Sequence, residues 1–338
     1  MSLSIRTNVM SFCIERRAVW VGFGLLALVL VIGLLSLSIG SYPLGIDQVV
    51  QGLAGQLGGI EQMIVRDHRL PRILVAIGAG AAFGMAGAMF QAMLRNPLAS
   101  PDVIGFTAGA NFGALLAVVL TGSMVLFGAL MGGLATAGLV TVLAWHHGLQ
   151  TGRIILVGIG VSLTLASGAD VLMSMTDEQV AADMARWLTG SLNTRSFQDV
   201  TLIWGGLVLL LPIVGWLQFP LARMAMHDDI VIGLGLALSP LRLAITCTSV
   251  ALVALAVSVA GPLPFVAFVA GPIARRLTGG GRPAVLTAAC VGAIVTMAAD
   301  LAARSVPLIQ LPAGVFTALV GAPVLLWLLA VQYRKGNF

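Results

Sequence analysis

The chain is short of charge. Only 9% of its 338 residues are Asp, Glu, Lys or Arg, against about 25% in water-soluble domains, which excludes a soluble globular protein. It also lacks the constellations that carry chemistry. No HExxH or CxxC is present, so metal catalysis has no support, and no GxSxG marks an activated serine. Nor is there a GxxxxGK followed by Ser or Thr, so the chain cannot cradle a nucleotide by a P-loop. Any ATP used must therefore bind another subunit. Three cysteines, Cys13, Cys247 and Cys290, lie far apart, and two of them sit inside apolar runs. A disulfide framework or a metal site wants closer, paired spacings, and they read as packing residues.

What the chain has is apolar length. It is 59% hydrophobic, with a mean hydropathy of +1.03 and 41 glycines, and each bilayer crossing takes about 20 apolar residues. The expected class is an all-α, polytopic membrane protein of one domain. Ten runs read as crossings: 18–39, 70–94, 103–120, 124–145, 154–175, 200–217, 241–260, 265–277, 284–303 and 313–331. The first follows Glu15-Arg16-Arg17 and is longer than the core of about 7–15 residues in a cleaved signal, so it reads as an uncleaved helix. Residues 44–68 read as a loop with a short surface helix, and 176–199 as a polar stretch with a short helix near 179–188. His146-His147 reads as a solvated turn.

An even number of crossings puts both termini on one side. With the N-terminus inside, twelve Arg and Lys residues fall on the cytoplasmic side and six outside, as the positive-inside rule requires. The same rule accounts for the net charge of +5 without any nucleic acid.

The stretch 69–113 organises the rest. It opens on paired arginines and continues as a helix of Gly and Ala. It then breaks at Arg95-Asn96-Pro97-Leu98-Ala99-Ser100-Pro101, because each proline restricts the residue before it. Gly80 and Gly84, Gly109 and Gly113, and Gly128 and Gly132 stand four apart, a spacing that lets helices approach backbone to backbone. Such a helix suits protein packing and the lining of a pathway. The candidate pathway and gate residues are Gly80, Gly84, Gly87, Gln91, Asn96, Pro97, Gly105 and Gly109. A faint repeat of the same order, helix, proline break and short helix, runs from Arg242 to Arg276, a habit of transporters.

The few charges divide by place. Arg69, Arg72 and Arg304 fall at outer helix ends, where they form a docking patch for an acidic partner or simply snorkel. Asp300 stands one turn before Arg304, so an i,i+4 pair is its simplest account. Asp170 lines a polar path or is satisfied in packing. The amphipathic segment 221–238 carries Arg223, His227, Asp228 and Asp229 and should lie at the cytoplasmic surface. It is a lever gripped by a partner or a loop on lipid headgroups. Its adjacent acids would be repelled by an anionic leaflet, which favours the partner.

Taken together, RLPR at 69–72, the block GAAFGMAGAMFQAMLRNPLASPDVIGFTAGA at 80–110, AGPLPFVAFVAGPIARR at 260–276, ADLAAR at 299–304 and LPAGVFTALVGAPVLLWLL at 311–329 resemble the permease subunits of the ABC importers for iron–siderophores, haem and vitamin B12. The resemblance implies a type II importer permease of ten helices in the bacterial inner membrane, with both termini cytoplasmic. It is not an enzyme and binds no cofactor or metal. It pairs with a second permease subunit, identical or paralogous, with the pathway between them. Two ATP-binding subunits carry ATP and Mg below, and a periplasmic substrate-binding protein docks above.

By position, Arg69, Arg72 and Arg304 resemble the family arginines that meet the binding protein. Asp228, Asp229, Leu234 and Gly235 resemble the coupling pattern that enters a cleft on the ATPase, in a segment running over 221–236. Two departures stand out: Val231 replaces a usual alanine, and Val269–Arg275 reads VAGPIAR where the family reads VAPHIAR. The run SPDVIGFTAGA at 100–110 looks most like ferric-siderophore permeases, those for catecholates such as enterobactin above all. Haem or vitamin B12 is the alternative cargo. A secondary transporter, which would need buried coupling charges and has Asp170 as its candidate, is the alternative mechanism.

Overall fold

The computed structural model describes residues 2–6, 11–40, 42–145, 150–279, 283–306 and 311–334. His146, His147, Arg282 and Lys335 lie outside the described residues. Two short strands, β1 (Ser2–Arg6) and β2 (Ser11–Glu15), pair antiparallel ahead of α1 (Arg16–Ser38). Helices make up most of the other described residues: α2 (Ile46–Leu53), α3 (Gly59–Met63), α4 (Leu70–Met93), α5 (Phe106–Thr121), α6 (Val125–Ala144), α7 (Thr151–Ser174), α8 (Glu178–Leu188), α9 (Phe197–Arg223), α10 (Asp228–Gly233), α11 (Leu238–Ala260), α12 (Val266–Thr278), α13 (Val285–Ser305) and α14 (Ala313–Arg334). Among the described residues, seven helical spans are long and apolar enough to cross a membrane, while α5 and α14 are apolar over shorter lengths.

α4 is the axis of the bundle. It packs on α13, α11, α12 and α9, and 83% of its most apolar window is buried, against 6% for α1 and 17% for α7. Hydropathy cannot separate these helices, because all three are apolar. Side-chain size does: α4 carries Gly and Ala where α1 carries Leu, Val and Trp20. Small residues admit a neighbouring backbone, whereas large apolar ones suit lipid. A Cβ on Gly80 would lie 2.5 Å from the Gly292 carbonyl oxygen, and one on Gly87 1.7 Å from that of Ala267.

Three boundaries differ from the sequence reading. The expected loop before residue 70 is helical from Gly59 onward, joined to α4 through a π-helical turn, Ile64–Arg69. Pro71 has no N–H to offer, and there the chain widens by one residue, with the Leu70 N–H bonding the Val65 carbonyl. α9 does not stop at Leu217 but passes through Pro212 and Pro220 to Arg223. Its start is held by a capping box in which Asp199 accepts from the Ser196 N–H at 2.8 Å. The amphipathic segment 221–238 is therefore not one element. It is the end of α9, a turn, the six-residue α10 and the entry to α11.

Candidate functional site

The charges of the chain gather at two opposite ends of the bundle. At the first, α1 ends, α4 begins and α13 ends. Arg69 is only 7% exposed. Its guanidinium donates to the Leu37 and Ser38 carbonyls at the C-terminus of α1 and to the Tyr42 carbonyl in the loop beyond it. Arg72 grips Asp300 with a two-pronged fork, Nε to Oδ2 at 3.0 Å and Nη2 to Oδ1 at 2.7 Å. Arg304 pairs with the same carboxylate at 3.2 Å and donates to the Ser36 carbonyl at 3.3 Å. The Asp300 side chain is 2% exposed, and those of Arg72 and Arg304 are 14% and 10% exposed. All three predicted arginines thus meet at one end, tied to their own chain. The i,i+4 pair is present, but Arg72 completes it from 228 residues away, which no local pattern announces.

In the middle of the bundle the predicted pathway residues part company. Gly80, Gly84 and Gly87 are buried against the backbones of α13 and α12. At these three positions the lack of a Cβ serves the close approach of helices within the chain. Gly109 packs on Gly132 and Thr136 of α6, and Gly105 turns at φ 75 beside Ser162. Asn96 caps the hinge, its side-chain oxygen accepting from the Leu98 N–H at 2.8 Å, next to a half-buried Pro97.

Gln91 is fully buried and bonds across to α12. Its Nε2 donates to the Phe268 carbonyl at 2.8 Å, and its Oε1 accepts from Arg275 at 3.3 Å. Pro272 has no N–H for the carbonyl four residues earlier, which is that of Phe268, and Gln91 supplies the missing donor. Gly271 makes the space: a Cβ there would lie 2.1 Å from Gln91 Oε1. The departure VAGPIAR is thus compensated within the chain by a glycine and a glutamine.

At the second end, α4 ends, α10 packs on α11 and α11 begins. Asp228 takes Arg95 on one carboxylate oxygen and Arg242 on the other, the latter at 2.7 Å. Arg95 also donates through Nε to the Met224 carbonyl at 2.8 Å. Burial pushes the Asp228 carboxyl up, but bonds from Arg242 and Arg95 outweigh it and hold the group below the usual range. Val231 is fully buried, whereas Ile230, Ile232 and Leu234 are 53%, 59% and 58% exposed, alongside exposed Asp229 and Gly235. The Val231 departure therefore falls on the inward face of α10. The sequence places Arg95 at the hinge and Arg242 at the start of the faint repeat, and gives neither a partner. A positive φ of 51 at Arg95 leaves no mark in sequence.

A profile of the FecCD transport family matches residues 28–331, nearly the whole bundle just described. The chain belongs to the FecCD transport family. It is 36% identical over 326 residues to the ferric enterobactin transport system permease protein FepG of Escherichia coli (strain K12), covering 95% of this chain and 99% of that protein. It is likewise 36% identical over 317 residues to the Fe(3+)-citrate import system permease protein YfmE of Bacillus subtilis (strain 168), covering 92% and 95%. A solved inward-facing metal-chelate type ABC transporter superposes with a TM-score of 0.81 at 27% identity, covering 93% of this chain and 99% of that one. This FecCD chain is thus an ABC importer permease of the siderophore and iron-citrate kind, a multi-pass membrane protein with the type II importer fold. It is not an enzyme, and ATP hydrolysis belongs to a separate subunit. Family membership also implies a second permease subunit and a binding protein.

Proposed function

We propose that this chain is the membrane half of an importer for a ferric siderophore, with a ferric catecholate such as enterobactin as its cargo. The observation that carries the reading is the full-length likeness to the ferric enterobactin permease, together with the run SPDVIGFTAGA at the hinge. Ferric citrate is the second reading, favoured by a relative of equal identity.

In this reading both termini are cytoplasmic and the membrane is the bacterial inner membrane. The end with Arg69, Arg72 and Arg304 faces the periplasm and receives the loaded binding protein. One carboxylate between Arg72 and Arg304 leaves the cluster net positive, which suits an acidic partner. The face of Asp229, Ile230, Ile232, Leu234 and Gly235 enters the ATPase, with Asp228 at its edge. ATP, with Mg, closes the ATPase pair, and that motion reaches the helices through α10. Exposed Ile230, Ile232 and Leu234 on so short a segment, with exposed Asp229 beside them, support a protein partner over contact with an anionic leaflet. A second permease, identical or paralogous, completes the pathway.

Uptake of radiolabelled ferric enterobactin by cells lacking the chain, with and without it restored, tests the cargo. Restored uptake is expected. Restored uptake of ferric citrate alone would overturn the catecholate reading in favour of the second.

A further inference from the structure

We propose that Asp228 works inward: it is the latch that makes the turn between α9 and α11 move as one piece with the hinge between α4 and α5. The proposal rests on the reading of α10 as the segment that meets the ATPase. By position Asp228 and Asp229 look equivalent there, and the structure separates them. Asp229 is exposed, whereas Asp228 has one oxygen on Arg95 and the other on Arg242.

Arg95 is the joint. It stands on the first turn after α4 with φ 51, a left-handed backbone that side chains rarely adopt, and this conformation helps aim the guanidinium at the α9–α10 turn. There it holds two points at once, the Met224 carbonyl at 2.8 Å and Asp228. Arg242, the fifth residue of α11, closes the other side.

A six-residue helix cannot hold its own direction, so α10 depends on these anchors and on buried Val231. The ion pairs are part exposed, with 41% of the Asp228 side chain accessible, and such pairs add little stability. What they fix is position. A cavity of about 400 Å³ opens beside the latch, lined by Met93, Leu94, Arg95, Gln150, Asp228 and Arg242, and gives the hinge room to shift. A push on the exposed face of α10 is thereby delivered to the end of α4 and to the Asn96–Pro101 hinge.

The test uses the full complex of this chain, its second permease and its ATPases, with Cys13, Cys247 and Cys290 replaced by serine and Asn96→Cys as a reporter. Maleimide labelling at that cysteine is timed with and without ATP and vanadate. With the latch intact, the nucleotide should change the labelling rate by about fivefold or more, the low end of typical coupling between two sites. Arg95→Gln, which lies off the face that meets the ATPase, should abolish that change while complex assembly and basal ATP hydrolysis persist, and Asp228→Asn should abolish it as well. The double variant should behave like either single one, and Asp228→Glu should restore part of the change.

A nucleotide effect that survives Asp228→Asn would overturn the proposal. So would partial effects of the two substitutions that add independently, or an intact complex whose hinge never responds. Failure of ferric enterobactin uptake alongside intact nucleotide-dependent labelling would sink the cargo reading and leave the latch standing.

Discussion

The two charged ends of the bundle use the same residue types in opposite ways. At the Arg69 end the charge closes on the chain itself. Asp300 is 2% exposed between Arg72 and Arg304, and Arg69 caps α1. At the Arg95 end the ion pairs are half exposed, and an apolar face of Ile230, Ile232 and Leu234 looks outward. Burial decides the difference. A buried carboxylate must be paired to persist at all, so the first end is a structural clasp whatever else it does. A half-exposed one adds little stability and is free to set geometry.

The comparison breaks hardest at Asp300. Asp300→Ala leaves two guanidiniums facing each other under cover, and breaking a buried pair costs about 3–5 kcal/mol. Thermal unfolding in detergent should show a large loss, whereas Asp228→Ala at the other end should show little. Gly87→Val tests the middle: with the Ala267 carbonyl 1.7 Å from any Cβ, overpacking should cost about 1–3 kcal/mol or more, read as lower yield of folded protein. Gln91→Leu should cost about 1–3 kcal/mol, because it strands the Phe268 carbonyl, and detergent melting should report it.

Ile232→Glu sharpens the contrast from the other side. Stability should move by less than about 0.5 kcal/mol, while co-purification of the ATPase is lost. Smallest is the effect of pH. The Asp228 carboxyl is depressed, so the charged latch is complete above the ordinary aspartate range near 4 and weakens only as pH falls through the depressed value. Nucleotide-dependent labelling at position 96 should thus be unchanged between pH 7.5 and 5.5.

Much of the architecture is legible because membrane helices write themselves as apolar runs. A helix occupies each of the ten runs named from the sequence. Errors fall where proline and charge mislead: Pro220 suggested an end that α9 ignores, and the polar residues around His68 hid a helix held by a π turn. Neighbouring backbones absorb a missing donor more readily than a local rule expects. Of the site, the Asp300–Arg304 pair is local and could be read. Arg72–Asp300, Gln91–Phe268 and Arg95–Asp228 join residues more than a hundred positions apart and could not.

By itself the sequence determined the class, the placing of the apolar helices and the family, because composition and short motifs carry those directly. Only the tertiary structure decided which helix is the axis, that Gly80, Gly84 and Gly87 face neighbouring helices, and that Asp228 turns inward while Asp229 does not. Those are questions of what a side chain touches. An apolar helix reads alike facing lipid or protein until its neighbours are in place.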